Sequence, residues 1–466
     1  MLFSSIPFLF YFFPAVLICY FVVPKAGKNI VLFLSSLVFY AWGEPRYVLL
    51  MLGAILVGYI SGILIEKFRG KKTSRAVLVV AIAICVAGLG YFKYADFFIA
   101  NWGAVTHLPV KLLEIALPIG ISFYSFQIIS YLVDVYRGTV SAQKNFIKLG
   151  AYVAFFAQLI AGPIVRYSDI EKGLTDRKHS FQSVFEGIRR FVIGLSKKVL
   201  IANVLGELVD VFRKADEPSV GFYWIYAVTF SLHLYFDFSG YSDMAIGIGQ
   251  IFGFKFPENF NYPFVSGSIT EFWRRWHMSL GSWFRDYIYI PLGGNRVSRI
   301  KWVRNIFVVW ALTGFWHGAD WTYIIWGLLF AILLLIEKAG LGKILGKCRP
   351  LAHIYVGFII MLSFVIFNAN GIGQMAADLK GMFGLAGLPA WSAQTGYYLR
   401  SYAVVIAVAF IGATPLTKWL LCDKVNRKNK QTFLGILEVI FILGLLVVCT
   451  AFLVDGSFNP FLYFRF

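Results

Sequence analysis

The feature that most constrains this chain is a succession of apolar runs, each long enough or nearly long enough to cross a lipid bilayer, separated by short basic loops. A spanning helix needs about 20 mainly apolar residues. Such runs fall near 6–24, 29–42, 47–65, 76–92, 114–135, 189–212, 221–236, 303–316, 320–336, 353–368, 402–420 and 432–453. Several are short and a few carry polar residues. That predicts tilted, broken or re-entrant helices, which persist at membrane depth only against protein or along a cavity. The run 149–165 ends in Gly162-Pro163 between basic flanks and is expected to be re-entrant. About 11 or 12 spans are expected on the length criterion.

Composition excludes the soluble alternative. Hydrophobic residues make up 59% of the 466 and charged residues only 14%, against roughly 25% charged in a soluble domain. A chain of this length would otherwise suggest two or three domains. A single polytopic domain over 1–466 is expected instead, with N-terminal spans in 1–136, a core in 137–340, and C-terminal spans and an aromatic tail in 341–466. The net charge of +19 would suggest nucleic acid in a soluble protein. Here Lys and Arg sit in the loops and read as topology, not as nucleic-acid recognition. Lys67, Arg69, Lys71, Lys72 and Arg75 form one cluster, 166–198 holds a second, Lys338, Lys343, Lys347 and Arg349 a third, and Lys424, Arg427, Lys428 and Lys430 a fourth. All four are placed in the cytoplasm, which puts both termini and the loop 369–399 outside. No basic residue precedes the first run, and Lys25 and Lys28 follow it. That is the reverse of a cleaved signal peptide, so a retained first span is expected. The five cysteines match no ligand spacing, and Cys19, Cys85 and Cys449 lie inside apolar runs, as small buried hydrophobes do. No metal site is expected.

One stretch, Asp237 to Arg296, breaks the membrane pattern. Its later part is expected to be an amphipathic helix, started by Ser268 and Glu271 at capping-box spacing and ended by Pro291 and Gly293-Gly294. On such a helix Trp276, Leu280, Trp283 and Tyr287 share one face, and Arg274, His277, Gly281 and Arg285 another. The arginines suit either lipid phosphates at the interface or the phosphates of an anionic donor. A second segment, Leu312-Thr313-Gly314-Phe315-Trp316-His317-Gly318-Ala319-Asp320-Trp321, sits between two apolar runs. An ionisable residue at membrane depth is costly and defaults to a functional hypothesis. His317 could serve as a general base for a hydroxyl or as a helix-packing donor. His233, four residues before Asp237, could share its helix face. His107, His179 and His353 lie in or beside loops and are expected to be solvated or packed.

Taken in order, D-F-S-G-Y-S-D (237–243), P-E-N-F-N-Y-P (257–263), E-F-W-R-R-W-H-x-S-L (271–280), W-F-R-D-Y-x-Y-I-P-L-G-G-N-R (283–296) and L-T-G-F-W-H-G-A-x-W (312–321) resemble the membrane-bound O-acyltransferase family, in its bacterial branch that acetylates polysaccharides. The resemblance implies an all-α integral membrane fold, a horseshoe of helices around a tunnel. It implies His317 and His277 as catalytic positions, with Asp237, Tyr241, Asp243, Arg274, Arg285, Asp286 and Trp316 in donor-binding or supporting roles. It further implies acetyl-CoA as donor, no metal, a secreted SGNH-type acetyltransferase partner, a glycan acceptor such as alginate or a cell-wall polymer, and the bacterial cytoplasmic membrane. The tail pattern Phe461, Tyr463, Phe466 resembles that of the small partner in teichoic-acid D-alanylation, which would make Tyr463 an acyl relay; an interfacial aromatic tail is the other reading. Two rival functions fit the span count: a transporter or flippase, and a non-catalytic scaffold. No inverted repeat of the transporter kind stands out.

Overall fold

A computed structural model describes residues 1–160, 162–416 and 431–456, and the described residues form helices and turns without a β-strand. The chain packs as two compact units, one of residues 1–191 with 242–258, the other of 192–241 with residues from 259 onward. Among the described residues, six helices are long and apolar enough to cross a membrane, Pro45–Lys67, Arg349–Asn368 and Gly435–Asp455 being three of them. The chain is therefore a multi-pass membrane protein. The other expected spans are shorter or more polar. Pro7–Val22 is a short apolar helix, and the 189–212 run is helical but passes through a π-helical turn at Lys197–Ala202. The expected re-entrant run is two short helices, Phe146–Val153 and Phe156–Leu159.

In the first unit, Phe3, Phe8, Phe39, Phe156 and Phe252 are buried and Phe8 touches Phe3, Phe39 and Phe156. Arg190 forks onto Asp243 and Glu258: Nε and Nη2 reach Asp243 Oδ1 at 3.1 and 2.9 Å, and Nη1 reaches Glu258 Oε1 at 2.7 Å. Asp243 is thus held by a guanidinium within that unit. His179 lies against Tyr20, whose hydroxyl donates to the Phe252 carbonyl at 2.9 Å.

The second unit corrects several sequence expectations. The membrane pattern does not break at Asp237: the helix starting at Val220 runs unbroken to Ile251. Asp237 stays buried because Lys198 meets it at 2.5 Å, with side-chain exposures of 1% and 2%. Lys198 therefore belongs to the core rather than to a solvated cytoplasmic loop. The close approach of the two helices depends on Gly240, where a Cβ would lie 2.8 Å from the Gly194 carbonyl oxygen and 3.1 Å from the Lys198 backbone nitrogen. His233 Nδ1 meets the Ala202 carbonyl at 2.6 Å. The loop expected over 369–399 contains a helix, Gly371–Met382. That helix is tied down by Arg213, whose guanidinium takes both oxygens of the buried Asp378 at 2.8 and 2.9 Å. Cys85 and Cys449 are buried as expected, whereas Cys19 is exposed.

Candidate active site

The expected amphipathic helix over 268–291 is broken into two, Ile269–Arg275 and Met278–Phe284, the second continuing as a π-helical turn over Arg285–Tyr289. Ser268 caps the first, its hydroxyl accepting from the Glu271 N–H at 3.0 Å. Glu271 reaches back to the Gly267 N–H at 2.9 Å. Glu337 adds a second anchor, accepting from the N–H groups of Ile269 and Thr270 at 2.6 and 3.0 Å, a favourable place for a carboxylate at a helix start. The break falls at His277, which adopts the left-handed conformation at φ 45°. A non-glycine residue there is uncommon and points to a constraint. Residues 259–261 supply it: Asn261 N–H donates to the Arg275 carbonyl and Met278 N–H to the Asn259 carbonyl, both at 2.9 Å. The shared face expected for Arg274, His277, Gly281 and Arg285 is therefore lost. Arg274 is exposed while His277 is 2% exposed. Arg285 is exposed and pairs with its neighbour Asp286 at 2.7 Å.

His277 Nδ1 lies 3.0 Å from Asn259 Oδ1, which also accepts from the Ser279 hydroxyl at 2.8 Å. Phe238, from the helix that carries Asp237, presents its ring 4.7 Å from the imidazole, edge to face. Burial pushes the His277 imidazole down to about 3, so it is neutral at physiological pH. An imidazole so depressed is a weak proton acceptor and a good hydrogen-bond acceptor.

His317 ends the Arg299–His317 helix, and Asp320 caps the next, Trp321–Ile336, accepting from the Thr322 N–H at 2.8 Å. This hairpin closes tightly because both helices carry glycine where their backbones touch. A Cβ on Gly314 would lie 2.3 Å from the Tyr323 carbonyl, and one on Gly327 2.4 Å from that of Trp310. His317 is half-buried. Trp316, Trp326 and Phe367 surround it at ring separations of 4.8, 5.2 and 5.2 Å. Trp316 also lies 6.2 Å from His277. One indole therefore touches both histidines.

Of the expected site residues, the second unit gathers His277, His317 and Trp316 around one aromatic core, with Asp237 and Tyr241 buried on the Val220–Ile251 helix. Asp243 belongs to the other unit. Tyr463 and the Lys424–Lys430 cluster lie outside the described residues. Asn259 and Lys198 carry no sequence signal that marks them out as site residues. Asn259 lies inside the P-E-N-F-N-Y-P motif (257–263), where an asparagine reads as a turn residue.

A family model for the membrane-bound O-acyltransferases matches residues 138–342. The chain is 44% identical over 392 residues to the probable alginate O-acetylase AlgI of Pseudomonas aeruginosa, covering 82% of this chain and 75% of that one. It is 38% identical to the corresponding Pseudomonas putida protein in a 490-residue alignment covering the whole of both chains. It is 36% identical over 425 residues to the peptidoglycan O-acetyltransferase of Helicobacter pylori, covering 83% and 81% of the two. The chain belongs to the membrane-bound O-acyltransferase family. It is an integral membrane O-acyltransferase, and the transporter and scaffold readings fall away.

Proposed function

We propose that this enzyme takes an acetyl group from cytoplasmic acetyl-CoA and delivers it across the bacterial cytoplasmic membrane towards hydroxyls of an extracytoplasmic polysaccharide, an exopolysaccharide of the alginate kind or a cell-wall glycan. A secreted SGNH-type protein completes the transfer, and both termini face outside. The observation that carries the chemistry is the pair of histidines joined by Trp316, one buried and neutral, one half-buried at a helix hairpin. The similarity to alginate and peptidoglycan O-acetylases supports the class of acceptor.

In this reading His317 takes the proton of an acceptor hydroxyl as its oxygen attacks the thioester carbonyl. The carbon–sulfur bond breaks, and the departing thiolate of coenzyme A receives that proton. The C–O ester bond replaces the C–S bond, and no other reactant is needed. His277 contributes a lone pair that orients a bound donor group. Exposed Arg274 and Arg285 are where the phosphates of coenzyme A would first be met, as forked donors suit phosphate. Tyr463 is the proposed first acceptor hydroxyl. Coenzyme A is too large and charged to cross lipid, so the acyl group crosses alone.

The test is purified protein in lipid nanodiscs given acetyl-CoA labelled in its acetyl group. Release of free coenzyme A is expected, with label reaching the glycan once the secreted partner is added. Absence of coenzyme A release under those conditions overturns the donor assignment.

A further inference from the structure

Asn259 settles which proton His277 carries. Its Oδ1 accepts from the Ser279 backbone N–H at 3.3 Å and from the Ser279 hydroxyl at 2.8 Å. A backbone N–H can only donate, so the asparagine atom at that place is oxygen and not the amide nitrogen. The same oxygen meets His277 Nδ1 at 3.0 Å. A carbonyl oxygen can only accept, so Nδ1 must carry hydrogen. The imidazole is buried and neutral, so its second nitrogen, Nε2, is then a bare lone pair. That Nε2 is buried and has no hydrogen-bond partner among the described residues. Among the described residues, the ring's hydrogen-bond partner is Asn259 and its aromatic neighbours are Phe238 from the Val220–Ile251 helix and Trp316 from the Arg299–His317 helix, all three uncharged.

Two unfavourable features therefore coincide at one residue: a left-handed backbone and an open buried acceptor. Both are imposed by the 259–261 segment, which clamps the break through its backbone and fixes the ring through its side chain. Coincident strain and an unfilled acceptor are expected where a ligand supplies the missing group.

We infer that Asn259 is a positioning residue that locks His277 as a hydrogen-bond acceptor for an O–H or N–H group of the bound substrate, and not as a proton donor. The inference rests on the acyl-transfer reading above for what the substrate is, but not for the state of the ring. It separates the histidines: His317 moves the proton, and His277 holds the reactant that donates to its lone pair. An imidazole free to choose its tautomer would present Nε2–H part of the time and turn away that donor.

The experiment uses the full chain in nanodiscs with nitrogen-15 in its six histidines, the His277 signal being assigned by its loss in His277→Gln. The wild-type ring is expected to show the neutral Nδ1–H form throughout about pH 5 to 8. Asn259→Ala should mix the tautomers and lower kcat by on the order of 10–100-fold, by analogy with the partners that orient metal-ligating histidines, with KM much less affected. Asn259→Asp keeps the accepting oxygen and adds charge. It should hold Nδ1–H, restore most of kcat at the alkaline end, and add an acidic limb to the pH profile as the ring begins to titrate. An Nε2–H ring in the wild type overturns the inference, as does an unchanged tautomer and kcat in Asn259→Ala. The expected ring state with no thioester turnover would instead sink the acyl-transfer reading and leave the ring assignment standing.

Discussion

Replacing Lys198 with methionine leaves the Asp237 carboxylate in the core of the second unit without its cation. The two side chains are 1% and 2% exposed and meet at 2.5 Å, so water cannot take the place of the lost ammonium. Removing one partner of a buried pair costs about 3–5 kcal/mol, whereas replacing both by apolar groups of similar volume is often neutral. The second unit is near the size for which 1 kcal/mol moves Tm by roughly 2–4 °C. Lys198→Met should therefore lower Tm by roughly 6–20 °C in detergent, read by tryptophan fluorescence on heating. The double variant Lys198→Met with Asp237→Leu should recover most of that loss. A single variant that melts with the wild type, or a double variant no more stable than the single, would refute the claim that this pair is a closed, mutually dependent unit.

Other outcomes follow from the same geometry. Gly314→Ala puts a methyl group 2.3 Å from the Tyr323 carbonyl; overpacking costs about 1–3 kcal/mol, and thermal unfolding should show a loss at the upper end because backbone cannot yield as a side chain does. His277 is depressed to about 3 in the fold against roughly 6.5 unfolded, so the unfolded chain binds more protons between those values. Its contribution to stability is complete above about pH 6.5 and falls by about 1.4 kcal/mol per unit below it. Melting at pH 7 and 5 should show a steeper acid loss in the wild type than in His277→Gln. Tyr463→Phe removes one hydroxyl and should abolish glycan acetylation if that residue is the relay; acetylation at the wild-type level makes the tail an interfacial anchor.

The helices were legible where apolar runs were uninterrupted. The run 47–65 is the Val48–Lys67 helix, and 353–368 lies within Arg349–Asn368. They were illegible where polar residues have partners far away in sequence. Asp237, Ser239 and Ser242 read as an exit from the membrane, yet all three are buried in one continuous helix. Lys198, which makes that possible for Asp237, lies 39 positions upstream, where the basic stretch 166–198 overlaps the expected run 189–212. The 268–291 segment has sound helical periodicity, and its cap at Ser268 was readable because a cap is local. Its break at His277 was not, because the clamp comes from Asn259 and Asn261. The histidines themselves were visible from the motifs. What periodicity could not supply is that the same tryptophan touches both.

The central claim is that His317 moves the proton in acyl transfer. The most direct measurement is coenzyme A release from acetyl-CoA by purified wild-type and His317→Ala protein, compared at equal folded amount by thermal melt. Loss of a general base lowers the rate by about 10²–10⁴-fold, so the account predicts release near background in the variant with its Tm close to that of the wild type. Release at the wild-type rate by a folded His317→Ala protein would contradict it.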